Sequence, residues 1–173
     1  MTDAPAPAFE VSNAGAGPDS CSLSALASDY EFVVPYFQRD YECTECRKQV
    51  RRTRDRYDSF RARDALPVFV LPGPREHARA WQREFELPFP VLSDADGTMA
   101  SDYGQPVRLA FASDWSDFFG RIPKVVVVDA RGAEPRITWT YTGTVVADRP
   151  TTNEVVAAVD EARESEPPRT AQS

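Results

Sequence analysis

The sequence predicts an α/β protein with a mixed central sheet and helices on both faces. Two observations carry this prediction. Across residues 21–163, apolar runs of strand length alternate with segments of helix length, the pattern of helices packed on a sheet. The clearest strand, at 122–129, is then followed by turn residues and a second strand. That pair is antiparallel, so the sheet is mixed rather than purely parallel.

The elements follow in order. Residues 1–20 are rich in Ala, Pro, Gly, Ser and Asp and read as an extended or loosely ordered arm with one short strand at 9–11. A short helix is expected at 22–28 and a strand-length apolar run at 32–37. Residues 44–60 have helix length, with Val50, Tyr57 and Phe60 as apolar points on an Arg-rich background. The run 66–71 reads as a buried strand, and 74–85 as a helix with Pro74 in its first turn, where a missing N–H costs little. A short strand at 89–92 leads into the turn Asp94-Ala95-Asp96-Gly97 and a helical turn at 99–103. The β-branched run 122–129, the turn Ala130-Arg131-Gly132 and a strand at 136–141 make a hairpin. Residues 151–162 close the domain as a helix capped by Thr151 or Thr152, with Glu154 just inside. The segment 104–120 fits neither period, and its aromatics Phe111, Trp115, Phe118 and Phe119 read as packing residues of an insertion. Residues 164–173 read as a disordered tail.

Composition narrows the function classes. At 173 residues and 42% hydrophobic content, the chain is one globular domain with tails. No apolar run approaches the roughly 18 residues of a membrane span. The first residues lack a basic region followed by an apolar one, so a cytoplasmic location is expected. A net charge of −7 argues against nucleic acid as a partner. The basic residues are 18 arginines with only Lys48 and Lys124. A GC-rich genome accounts for scarce lysine but not for the acid excess, and the combination suggests a salt-loving organism. Three cysteines exclude a disulfide scaffold and direct attention to reactive or metal-binding thiols.

Cys43-Thr44-Glu45-Cys46 follows the strand at 32–37 and opens the long helix. A thiol at a helix N-terminus meets unpaired N–H groups and the positive end of the helix dipole, and both favour the reactive thiolate. Two intervening residues bring the sulfurs within bonding distance on one turn, so one thiol attacks and the other resolves the adduct. Arg47 and Lys48 add positive potential, while Glu42 and Glu45 oppose it.

Cys-x-x-Cys-Arg at a strand-to-helix junction resembles the thioredoxin superfamily. Gly120-Arg121-Ile122-Pro123-Lys124-Val125-Val126, just before the strong strand, agrees with it. The resemblance implies a thioredoxin-like three-layer α/β/α sandwich with an N-terminal extension. It also implies a cis-proline at Pro123 that opens the Ile122 backbone to an extended substrate. Phe9-Glu10-Val11, Ser22-Leu23-Ser24-Ala25-Leu26 and Phe32-Val33-Val34 resemble the opening of the peroxiredoxin branch, the alkyl hydroperoxide reductase and thiol-specific antioxidant group. So does Leu87-Pro88-Phe89-Pro90-Val91-Leu92-Ser93-Asp94, with Asp96-Gly97 and Tyr103-Gly104 downstream. The chain departs from that branch's Pro-x-x-x-Thr-x-x-Cys. With Cys43 as the peroxidatic thiol, Tyr36 and Asp40 occupy the Pro and Thr positions; with Cys46, Arg39 and Cys43 do. A subgroup with a Cys-x-x-Cys site fits better, with Arg39, Arg47 or Arg121 as donors to a peroxide in place of the Thr hydroxyl.

Other readings carry less. Cys21, Cys43, Cys46 and His77 have the composition of a Cys₃His zinc site but not the spacing of a known one. An inert, buried dithiol is the other bland reading. Cys21 reads as a small residue of the arm rather than a third redox thiol. His77, among Arg75, Glu76 and Arg79, reads as part of a solvated helix face, as does the run Arg51, Arg52, Arg54 and Arg56. The sequence thus points to a thiol-based antioxidant oxidoreductase of peroxiredoxin type, needing no bound cofactor. Cys43 would attack and Cys46 resolve, with Tyr41, Arg47, Ile122 and Pro123 lining the substrate site. A peroxide or a disulfide would be the substrate, an external dithiol such as a thioredoxin the reductant, and a second copy a possible partner in a homodimer. Dithiol–disulfide exchange on proteins is the competing chemistry, and a non-enzymatic zinc-binding or redox-sensing module the competing class.

Overall fold

A computed structural model describes residues 3–106, 121–165 and 167. Its centre is a strand too apolar to sit anywhere but the middle of a sheet: all six residues of β4 (Phe32–Phe37) are buried. β4 pairs in parallel with β5 (Ala65–Pro72) and antiparallel with β7 (Lys124–Asp129). β5 continues in parallel to β6 (Val91–Asp94), and β7 forms the expected hairpin with β8 (Arg136–Thr142). The sheet is therefore mixed, as the alternating periodicity predicts. Its helices are α1 (Leu23–Asp29), α2 (Thr44–Asp55), α3 (Tyr57–Arg61), α4 (Arg75–Phe85), α5 (Thr98–Asp102) and α6 (Thr152–Glu164). No described helix is long and apolar enough to cross a membrane.

The arm is more ordered than its composition suggests. β1 (Ala4–Pro5) adds to β8 at one edge of the sheet. β2 (Glu10–Asn13) and β3 (Ser20–Ser22) form a hairpin that joins β6 at the other. The strand order is β1-β8-β7-β4-β5-β6-β2-β3. Asn13 explains the second attachment. Its side-chain oxygen accepts from Gly15 and Val91 N–H at 2.8 and 3.0 Å, and its amide donates to the Ala16 and Pro18 carbonyls at 3.0 and 2.7 Å. Gly15 is required there, since a Cβ would lie 2.5 Å from the Val91 nitrogen.

The helix expected at 44–60 divides at Arg56, which leaves helical geometry at φ −108°, ψ 16°. Cys46, Gln49, Val50 and Thr53 form one buried stripe of α2. After the break Phe60 is fully buried. At the far end the capping box forms on Thr151: its hydroxyl accepts from Glu154 N–H at 3.1 Å, and Glu154 returns a carboxylate to Thr151 N–H at 2.9 Å. The aromatics Phe111, Trp115, Phe118 and Phe119, and most of the predicted tail, lie outside the described residues.

Candidate active site

β4 delivers the chain to a turn that Asp40 shapes. The Asp40 carboxylate accepts from the Glu42 and Cys43 N–H groups at 2.8 and 2.7 Å, a short-range turn made by a side chain. The turn leaves Cys43 as the N-cap of α2, with its Sγ accepting from Cys46 N–H at 3.3 Å. A sulfur in the capping role faces the helix donors that a Ser or Asp would otherwise satisfy. One turn further on, Cys46 is fully buried, while Cys43 keeps 7% of its surface. No disulfide joins them.

The two thiols are pushed in opposite directions. Cys43 is drawn down to about 6, chiefly by the hydrogen bond from Cys46. Burial opposes this, the Cys46 N–H and the Arg149 charge support it, and the Asp40 carboxylate opposes it weakly. Cys46 is pushed far up by burial first and by the neighbouring Cys43 second. At neutral pH the pair is therefore a Cys43 thiolate accepting from a Cys46 thiol.

Arg149 completes the site and was not singled out in the sequence. It arrives on the loop before α6 and places Nη2 3.0 Å from Cys46 Sγ and 3.8 Å from Cys43 Sγ. Its Nη1 donates to the side-chain oxygens of Gln38 and Gln49 at 2.9 and 2.6 Å. Gln38 in turn donates to Gln49 at 3.0 Å, and both glutamines are buried. The only signal in the sequence was an arginine just ahead of a capped helix, which any surface loop carries.

The predicted substrate residues divide. Tyr41 lines an open pocket of about 780 Å³ with Cys43, Thr44, Arg39, His77 and Arg121. Its ring stacks on His77 with centroids 3.6 Å apart, so His77 belongs to the pocket wall rather than to a solvated helix face. Arg39 and Arg121 are among the residues that line the pocket with Cys43. Arg47 is not. Four residues after Cys43 it faces α4, where it pairs with Glu84, reaches the Tyr41 carbonyl at 3.4 Å and stacks on Phe85 at 5.0 Å. Ile122 and Pro123 are buried. The described residues contain no cis peptide bond, so Pro123 is trans, contrary to the resemblance. The Ile122 backbone is not open to an extended substrate either: its N–H donates to the Pro106 carbonyl at 3.0 Å and its carbonyl accepts from Gln105 at 3.1 Å. Cys21 is a buried residue of β3. Among the described residues no three His, Cys, Asp or Glu side chains gather as a metal site.

Known proteins resemble both sequence and fold. The chloroplastic peroxiredoxin Q of Sedum lineare is 31% identical over 102 residues, 58% of this chain and 50% of that protein. The chain thus spans about half the length of the curated relatives it matches. The crystal structure of peroxidoxin BcpB from Mycobacterium tuberculosis superposes with a TM-score of 0.76 at 20% identity, covering 94% of this chain and 98% of that one. Reduced 2-Cys peroxiredoxin of Plasmodium vivax gives a TM-score of 0.76 at 15% identity, over 92% and 94% of the two chains. These likenesses confirm the thioredoxin-like fold. The AhpC/TSA family matches residues 2–133, which hold the β4–α2 junction, Cys43, Cys46 and most of the sheet, and the chain belongs to that family.

Proposed function

We propose that the protein is a thiol peroxidase working through Cys43 and Cys46. The observation that carries this reading is the Cys43 sulfur: an N-cap drawn down to about 6, at the wall of an open pocket, with a guanidinium beside it. The Cys43 thiolate attacks the terminal oxygen of a hydroperoxide. The O–O bond breaks, the alkoxide or hydroxide takes a proton from solvent and leaves as alcohol or water, and Cys43 becomes a sulfenic acid. Cys46 then attacks that sulfur; the S–S bond forms and the hydroxide leaves as water with the Cys46 proton. An external dithiol, which we take to be of thioredoxin type, takes up the disulfide oxidation and restores both thiols. Peroxide is favoured over a protein disulfide because the Ile122 backbone, the expected strand-pairing edge, is already hydrogen-bonded.

The test is rapid-quench mass spectrometry after one equivalent of hydrogen peroxide. Wild type is expected to form the Cys43–Cys46 disulfide within seconds. Cys43→Ser should lose peroxide consumption by about a thousandfold or more. Cys46→Ser should still consume one equivalent and hold Cys43 as a sulfenic acid that dimedone traps. Thiols that survive for many minutes in wild type would overturn the peroxidase reading.

A further inference from the structure

Arg149 reaches the thiols from a turn on the protein surface, and something must hold it there. Val145, at the tip, is 43% exposed. What closes the turn is one carboxylate. Asp148 accepts the Tyr141 hydroxyl on one oxygen at 2.5 Å, and on the other the Thr144 N–H and hydroxyl at 2.8 and 3.0 Å. Its own N–H donates to the Val145 carbonyl at 3.0 Å. The turn is anchored at its start by Gly143 N–H, which donates to the Pro123 carbonyl at 2.9 Å. Gly143 cannot carry a side chain: a Cβ would lie 2.4 Å from the Asp148 carbonyl oxygen. At its end, Arg149 Nε donates to the Val146 carbonyl at 2.9 Å, aiming the guanidinium inward.

We propose that Asp148, with Tyr141 and Thr144, is a positioning residue that fastens the turn 143–149 so that Arg149 rests on both sulfurs. The three donors hold the Asp148 carboxyl below the usual range, so the staple stays charged wherever the enzyme would work. This device lies beyond residues 2–133, the part matched to the family. It rests on the reading of Cys43 as the attacking thiol. A carboxylate acting on the thiols only through its charge would oppose the Cys43 thiolate, whereas one acting through Arg149 favours it. The two roles therefore predict opposite signs when Asp148 is removed.

The experiment measures iodoacetamide alkylation of Cys43 against pH in the full chain, with the modified residue read by mass spectrometry. The other charged or titratable groups on the pocket side of Cys43, Arg39, Asp40, Tyr41, Glu42, His77 and Arg121, stay unchanged throughout. The wild-type midpoint is expected near 6. Asp148→Ala should raise it by about one pH unit, and Tyr141→Phe should raise it less. Added to Arg149→Gln, Asp148→Ala should shift it no further, because the two act in series. A midpoint that stays put or falls in both Asp148→Ala and Tyr141→Phe overturns the proposal. So does a rise that persists beside Arg149→Gln, or alkylation at Cys46 in place of Cys43. Should Asp148→Ala fail to fold by far-ultraviolet circular dichroism, Tyr141→Phe with and without Arg149→Gln decides the matter. No peroxide enters the assay, so a chain that reduces no peroxide still answers the question, and the two readings fail separately.

Discussion

Cys43 sits where residues 40–46 put it, through hydrogen bonds that span three positions, whereas Arg149 reaches the same sulfur across 106 positions of chain. The first region is a turn and a helix cap, built from groups that meet as soon as the helix forms. The second is a surface loop whose partners are a buried glutamine pair, one just after β4 and one on α2, and the hydroxyl of Tyr141 on β8. The difference separates two contributions to thiol acidity. The local cap supplies N–H donors to whatever residue occupies position 43. The distant loop supplies the cation, and with it control over how far the thiolate is favoured. The cation lies closer to the Cys46 sulfur than to that of Cys43. Arg149 bonds to the buried Gln38 and Gln49 and is not among the residues that line the pocket beside Cys43.

Substitutions at each region sharpen this contrast, beginning with the largest effect. Arg149→Gln removes the cation and leaves the cap. The alkylation midpoint should rise by about one to two pH units, and single-turnover peroxide oxidation at neutral pH should slow by roughly tenfold. The sign follows from which form reacts: thiolate is present above the midpoint and lost as pH falls through it. Wild type should thus keep its rate down to about 6, while the variant should lose it at higher pH. An unchanged midpoint would leave the thiol and N–H hydrogen bonds of Cys46 as the whole cause.

A smaller effect of opposite sign is expected at Asp40. Asp40→Asn keeps an acceptor for the Glu42 and Cys43 N–H groups but removes the charge that opposes the thiolate. The midpoint should fall by about 0.3 pH units. A rise would mean that the neutral amide no longer holds the turn. The smallest effect concerns Arg47, the cation adjacent to the motif in sequence yet turned away from it. Arg47→Gln should leave the midpoint in place. It should cost about 0.5 kcal/mol of stability in urea denaturation, since its ion pair with Glu84 lies near the surface. A shifted midpoint would restore Arg47 to the site.

Much of this molecule could be read from residues close together in the chain. The strands β4, β5, β7 and β8 and the helices α1, α4 and α6 lie within a residue or two of the expected positions, because periodicity, turn residues and caps act over single turns or hairpins. The dithiol at a helix mouth was legible for the same reason. The readings that changed are those that depended on distant partners. The arm reads as loose on its own composition, yet Asn13 bonds it to β6 across 78 positions. Ile122 and Pro123 suggested an open edge, but Gln105 and Pro106 occupy it. His77 looked solvated until Tyr41 was placed against it.

Local chemistry was therefore enough to specify a mixed α/β sheet and a paired thiol at the start of α2, since the groups responsible are neighbours along the chain. Which thiol carries the charge, and which arginine favours it, followed from folding. Burial and Coulomb attraction depend on distance in space: Arg47 is one residue from Cys46 and points away, while Arg149 is brought within 3.0 Å of it by the closing of the sheet and its final loop.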